Sequence, residues 1–314
     1  MAMVQYDLWN NCSNQCDFCL IYRKRILNNE QMIERIDQII ENIDYVGERW
    51  TTQFSDGISL LGGEVYFVTD PKVQAKLMEL IDHIIDKILL PNKALGHVCK
   101  YSTVTNGIYN PDLLFRIVDR IVERAGIQFV DVNFSYDLKY RFHSEESRLL
   151  CLENMRKFSV RYDYRIGAQM VVTDYLIDMI NNKEFDISEF QNKIVPNSIV
   201  EFLYPHEVHT GKVLNDFQFP RDKFIKFLFW LKENYYENFI NYCDSITNSS
   251  IFKYTGLYIN PDWSMEIEPK LSDGKEIMNP ACGHSVLYQC YRDSDKCILC
   301  DILKVRKDMN KEKL

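Results

Sequence analysis

Strand-like and helix-like stretches alternate along most of this chain, and that alternation limits the fold more than any other feature. Val4–Trp9, Gly57–Leu61, Tyr101–Thr105, Gln128–Phe134, Arg165–Val172 and Ile199–Tyr204 are short runs with strand character. Between them lie stretches with helical spacing. Ile33, Ile36, Ile40 and Ile43 form one stripe, and Val73, Leu77, Leu80, Ile84 and Ile88 another. Leu114, Ile117, Val118 and Ile121 form a third, a helix is expected at about 145–158, and Phe224, Leu228, Leu231 and Tyr235 mark a long last one. Asp70-Pro71 and Asn110-Pro111 read as helix starts, a capping side chain followed by proline at the first helical position. Repeated βα units build a parallel sheet covered by helices. Six strands are fewer than the eight of a closed barrel, so an α/β partial (β/α)6 barrel is expected over residues 1–245. Functional residues should then sit on loops at the C-terminal strand ends.

After about residue 245 the alternation stops. Gly256, Pro261, Pro269, Gly274, Pro280, Cys282 and Gly283 punctuate the rest, so residues 246–314 are expected to form a small cysteine-rich C-terminal module. A hydrophobic content of 46% and a charged content of 26% suit a globular protein, and nothing approaches 18 consecutive apolar residues. The N-terminus lacks a signal-peptide pattern, so a cytoplasmic, reducing location without a membrane partner is expected. In that setting ten cysteines read as metal ligands or buried thiols rather than disulfides. A net charge of −8 argues against nucleic acid as a partner, and the basic stretch Lys304–Lys313 reads as a solvated tail.

Directly after the first strand, Cys12, Cys16 and Cys19 stand in the spacing CxxxCxxC, with Phe18 beside the last. Three thiolates on one short loop can hold three irons of a 4Fe–4S cluster and leave the fourth open to a small molecule. Zinc or three buried thiols are the alternatives. Zinc wants four ligands in a closed site, and no fourth lies nearby in sequence. The motif resembles that of the radical S-adenosylmethionine (SAM) superfamily. Three softer features follow in that family's order. Leu61-Gly62-Gly63-Glu64, after the second strand, resembles its GGE-type motif, which implies that Gly62, Gly63 and Glu64 meet the methionyl amino group of SAM. Thr105-Asn106-Gly107 ends the third strand as a similar TNG does in many members, which implies a cofactor role for Asn106. Ser135, ending the fourth strand, resembles a SAM-contacting serine. Asp137, Arg141, His143 and Arg148 follow it, a loose likeness to members that modify peptides, with Arg148 a candidate partner for the SAM carboxylate. The likeness spans about residues 4–205. The face on which Gln169 lies is not fixed by the sequence.

Cys282, Cys290, Cys297 and Cys300 fall in the spacing Cx7Cx6CxxC, with His284 among them. Four thiolates suffice for a second 4Fe–4S cluster or a tetrahedral zinc, and unligated thiols are the third possibility. Position and the closing CxxC resemble the SPASM and Twitch auxiliary-cluster modules, although SPASM usually has seven cysteines spread more widely. Cys99, Cys151 and Cys243 are expected to be buried small hydrophobes, with Cys243 serving as a ligand only if one of the four is not.

The resemblance implies an enzyme that reductively cleaves SAM to a 5′-deoxyadenosyl radical and abstracts hydrogen from a substrate, using an external one-electron donor. A peptide or protein side chain is the first expectation for that substrate. The cluster loop begins only eleven residues into the chain, so a separate leader-peptide recognition protein is expected beside it. A small metabolite or nucleoside is the runner-up. An iron–sulfur redox protein without SAM chemistry is the third reading.

Overall fold

The structure, a computed structural model, describes residues 3–14, 16, 26–52, 54–203, 221–239, 257–259 and 265–266. The six expected strands all form: β1 (Met3–Asp7), β2 (Gly57–Leu61), β3 (Lys100–Thr105), β4 (Val130–Ser135), β5 (Ile166–Val171) and β6 (Ser198–Leu203). They pair in parallel and in chain order, each beside its predecessor. Sequential order without a reversal is what a barrel wall requires and what a doubly wound sheet lacks. The architecture is therefore a partial barrel of (β/α)6 type. Two short strands prolong its edge: β7 (Leu257–Ile259) runs parallel to β1, and β8 (Met265–Glu266) antiparallel to β7.

The apolar alternation explains which face is covered. Ile58 and Leu60 of β2, Val130, Val132 and Phe134 of β4, and Ile166, Ala168 and Met170 of β5 are buried against the helix layer. The stripe Val73, Leu77, Leu80 and Ile84 is fully buried from the other side. Each such aliphatic side chain contributes about 1.5–3 kcal/mol relative to leaving it in water. The opposite sheet face is richer in polar residues. Ser102 donates to Asp131 at 3.1 Å and Gln169 to Glu201 at 3.2 Å across neighbouring strands. Gln169 thus lies on the face turned away from the helices.

Local signals set the helix starts. Asn28 and Gln31 form a reciprocal capping box for the helix Asn29–Val46. Asp70 accepts from the Lys72 and Val73 amides ahead of the helix Pro71–Ile84, as its sequence implies. The helix Asp112–Arg124 begins one residue later than Asn110-Pro111 suggests, and Asn110 still accepts from the Asp112 amide at 3.1 Å. The helix at about 145–158 extends to Glu145–Tyr162, and the last long helix is Arg221–Asn234. A short helix, Asp174–Asn181, was not legible, because eight residues carry too few turns to display a stripe. Successive outer helices are tied by Lys76–Asp37 at 2.5 Å, Arg120–Asp82 at 2.7 Å and Arg161–Asp119 at 2.6 Å. Such solvent-facing pairs add little to stability. Among the described residues no helix is long and apolar enough to cross a membrane.

Candidate active site

The chain leaves β1 through Trp9, Asn10 and Asn11 and enters the cysteine loop. Its first turns remain zipped to the end of β2. The Gly63 amide donates to the Trp9 carbonyl at 2.6 Å, and the Glu64 amide to the Asn11 carbonyl at 2.7 Å. This contact explains both glycines. A Cβ at Gly62 would stand 2.2 Å from the Trp9 carbonyl oxygen, and one at Gly63 would stand 2.2 Å from that of Asn11. The far end of the loop is clamped as well. The Asn11 side chain donates to the Leu27 carbonyl and accepts from its amide, both at 2.9 Å. The base of the loop is thus closed between residues 11 and 27.

Cys12 is exposed and Cys16 half-buried, and nitrogen donors surround both sulfurs. Cys12 Sγ receives the Asn14 amide at 3.4 Å and Asn106 Nδ2 at 3.5 Å. Cys16 Sγ receives Asn14 Nδ2 at 3.2 Å and Arg141 Nη1 at 3.4 Å. Donors and a positive charge stabilise a thiolate over a thiol. Soft thiolates set in N–H donors fit an iron–sulfur cluster, whose sulfurs accept such bonds. Cys19, the third member of the motif, lies outside the described residues. So do Cys243, Cys282, Cys290, Cys297 and Cys300. Among the described residues no set of three ligating side chains is complete.

Glu64 sits between the cysteine loop and the end of β3. Its carboxylate is almost fully buried. It accepts from the Asn106 amide at 2.7 Å, Thr105 Oγ1 at 3.0 Å and the Tyr66 amide at 3.3 Å. Burial pushes its pKa up to about 7, while these hydrogen bonds pull the other way. Asn106 therefore links Glu64, through its amide, to Cys12, through its side chain. Ser135 lies buried at the end of β4. Arg148 is engaged nearby: its fork meets the Glu145 carboxylate, and Nη1 donates to Tyr136 Oη at 2.6 Å.

The structure thus brings Cys12, Cys16, Gly62, Gly63, Glu64, Asn106 and Ser135 to the C-terminal ends of four adjacent strands. Sequence reasoning assigned no role to Asn11, Asn14 and Arg141. Asn11 and Asn14 carry no motif, since a loop asparagine is ordinarily a turn residue. Arg141 had a signal, the pair Asp137 and Arg141 spaced i,i+4 just beyond a strand end. Cys99 and Cys151 are buried, as expected.

No family model matches the sequence, and no curated protein matches it. Solved structures do. A structure of anSMEcpe with bound AdoMet aligns at a TM-score of 0.52 and 15% identity, over 84% of this chain and 74% of that one. The crystal structure of SuiB from Streptococcus suis aligns at 0.52 and 14% identity, over 96% and 71%. The fold is that of the radical SAM enzymes. At these identities the likeness establishes the radical SAM fold and nothing finer. A structure of SuiB bound to precursor peptide SuiA aligns at a TM-score of 0.36, too low to bear on this chain.

Proposed function

We propose that the chain is a radical SAM enzyme that abstracts hydrogen from a peptide or protein side chain. One observation carries the reading: two cysteine sulfurs of a CxxxCxxC loop, ringed by nitrogen donors, stand beside a Gly-Gly-Glu edge at the open strand ends of a partial barrel. Cys12, Cys16 and Cys19 would hold a 4Fe–4S cluster. When bound, that cluster supplies the electron that cleaves SAM and starts hydrogen abstraction. The chain's own residues bind and orient. Gly62 and Gly63 let the backbone of the second strand end lie against the cysteine loop, and Asn11 closes that loop. Glu64 fixes Asn106 against Cys12. Ser135 is the proposed SAM contact at the end of β4, and Arg148 a proposed partner for its carboxylate. The peptide class of substrate is supported by the C-terminal cysteines, proposed to hold a second 4Fe–4S cluster or a zinc, and by the stretch from Ser135 to Arg148. A cytoplasmic location and an external electron donor belong to the same proposal.

The test is anaerobic. Protein reconstituted with iron and sulfide is given SAM and dithionite, and 5′-deoxyadenosine is measured. Wild type is expected to form it, and a Cys12/Cys16/Cys19→Ala variant to form none. A reconstituted, iron-loaded wild type that forms none overturns the enzyme reading. Near eight irons in wild type and near four in the variant would support a second cluster. Four irons and one zinc in wild type would make the C-terminal site structural and remove the main support for a peptide substrate.

A further inference from the structure

On the reading above that Cys12, Cys16 and Cys19 hold a cluster, we infer that Arg141 is a positioning residue that sets the reduction potential of that cluster through Cys16. Arg141 reaches the cysteine loop twice. Its side chain donates from Nη1 to Cys16 Sγ at 3.4 Å. Its carbonyl accepts from Asn14 Nδ2 at 2.9 Å, and the same Nδ2 donates to Cys16 Sγ at 3.2 Å. One residue thereby supplies a charged donor to the sulfur and also orients the neutral donor beside it.

Arg141 is itself held in place. Nε donates to Asp137 Oδ2 at 2.8 Å, and the other Asp137 oxygen accepts the Val171 amide at 2.6 Å. Val171 is the last residue of β5, so Asp137 is pinned to the barrel wall. The Arg141 and Asp137 side chains are 13% and 5% exposed. A salt bridge this buried is screened little by solvent, and its desolvation has to be repaid by further polar contacts. Here the contacts that repay it include a cysteine sulfur.

The direction of the effect follows from charge. Reduction adds an electron to the cluster. A guanidinium beside a ligating sulfur, with its carboxylate on the far side, presents the positive end of a dipole to that added charge. The reduced state gains, and the potential rises. The Asp137 carboxylate cancels part of the field at longer range, so the effect should be moderate. An isolated cation would do more.

Two substitutions separate charge from geometry. Arg141→Gln keeps a neutral donor and loses the charge. Arg141→Lys keeps the charge and loses the fork that spans Asp137 and Cys16. The measurement is the midpoint potential of reconstituted, SAM-free protein in an EPR-monitored titration. The relevant signal is the one missing from the Cys12/Cys16/Cys19→Ala variant. Arg141→Gln is expected to disfavour reduction about tenfold, a shift of about 59 mV to lower potential for a one-electron couple. Arg141→Lys should shift in the same direction by less, about threefold in the reduction equilibrium. A glutamine variant with full iron and an unmoved potential overturns the inference and leaves the enzyme reading intact. If the glutamine variant holds no cluster, an unmoved potential in the lysine variant overturns it instead. A wild type that assembles no cluster at these cysteines overturns the enzyme reading itself, and this inference with it.

Discussion

Cys12 and Cys16 differ from Cys99 and Cys151 in exposure and in the groups that meet their sulfurs. The first pair lies at the rim, where Asn14, Asn106 and Arg141 point N–H groups at the sulfurs. The second pair is buried within the hydrophobic core, Cys151 with its Sγ 4.0 Å from the Ser135 carbonyl. Burial pushes the Cys99 thiol up to about 12 and raises the Cys151 thiol as well. Within one fold, surroundings decide whether a cysteine is a candidate metal ligand or a small hydrophobe. Donors to the two sulfurs gather beyond the strand ends: one backbone amide, of Asn14, and side-chain nitrogens of Asn14, Asn106 and Arg141. The strand ends therefore hold the chemistry, and the strand interiors hold the core.

The sharpest way to break this contrast is to exchange roles by mutation. Cys16→Ala should abolish 5′-deoxyadenosine formation, a loss beyond a hundredfold, and should lower bound iron. Cys151→Ala should keep the iron and the activity. It should lose only about 1–2 kcal/mol of stability for a small buried group, read from chemical denaturation. Equal loss of iron in both variants would refute the division.

Gly63→Ala ranks next. The added Cβ would meet the Asn11 backbone, which cannot move without opening the clamp between Asn11 and Leu27. Overpacking against fixed backbone costs about 1–3 kcal/mol. The loop is also expected to lose its fit to the end of β2. Iron incorporation should fall severalfold, while the helix-facing core, followed by circular dichroism, keeps its content. Normal iron loading in this variant would show that the rim does not depend on that close approach.

Alkylation of metal-free native protein at pH 8 probes the same contrast more gently. Cys12 and Cys16 are expected to react within minutes. Cys99 and Cys151 should stay protected until the fold opens, because few of their thiols ionise and reagent cannot reach them. Peptide mapping by mass spectrometry reads each site separately. Rapid labelling of Cys151 would place it outside the core.

How much of this was legible in the sequence follows the same division. Strand positions could be read because each strand interior repeats an apolar pattern against the helices. All six appear within a residue or two of their expected limits. CxxxCxxC and Gly62-Gly63-Glu64 could be read because their spacing is local. That Asn106 and Arg141 donate to the sulfurs could not. Asn106 lies 94 positions from Cys12, and Arg141 lies 125 from Cys16. Only the parallel register that brings the ends of β1, β2, β3 and β4 together makes them neighbours. The surroundings of Glu64 were hidden for the same reason, since two of its hydrogen-bond donors, Thr105 and Asn106, lie 41 and 42 positions away at the end of β3.

Glu64 supplies the smallest effect and a test of the polar side alone. Its carboxyl is pushed by burial to about 7, above its value in an unfolded chain. Between about pH 4.5 and 7 the folded state therefore binds more protons than the unfolded one. Stability contributed by the protonated carboxyl is fully present below that window and declines as pH rises through it. Glu64→Gln stays neutral throughout. Denaturant midpoints of metal-free protein should fall from pH 5 to 7.5 in wild type, and the Gln variant should lose part of that slope. The Gln oxygen can still accept the Asn106 amide, so the link to Cys12 should survive and iron loading should change less than twofold. Identical slopes in the two proteins would mean that the Asn106, Thr105 and Tyr66 donors already offset the cost of burying the charge, and that Glu64 stays ionised as a permanent anchor for Asn106.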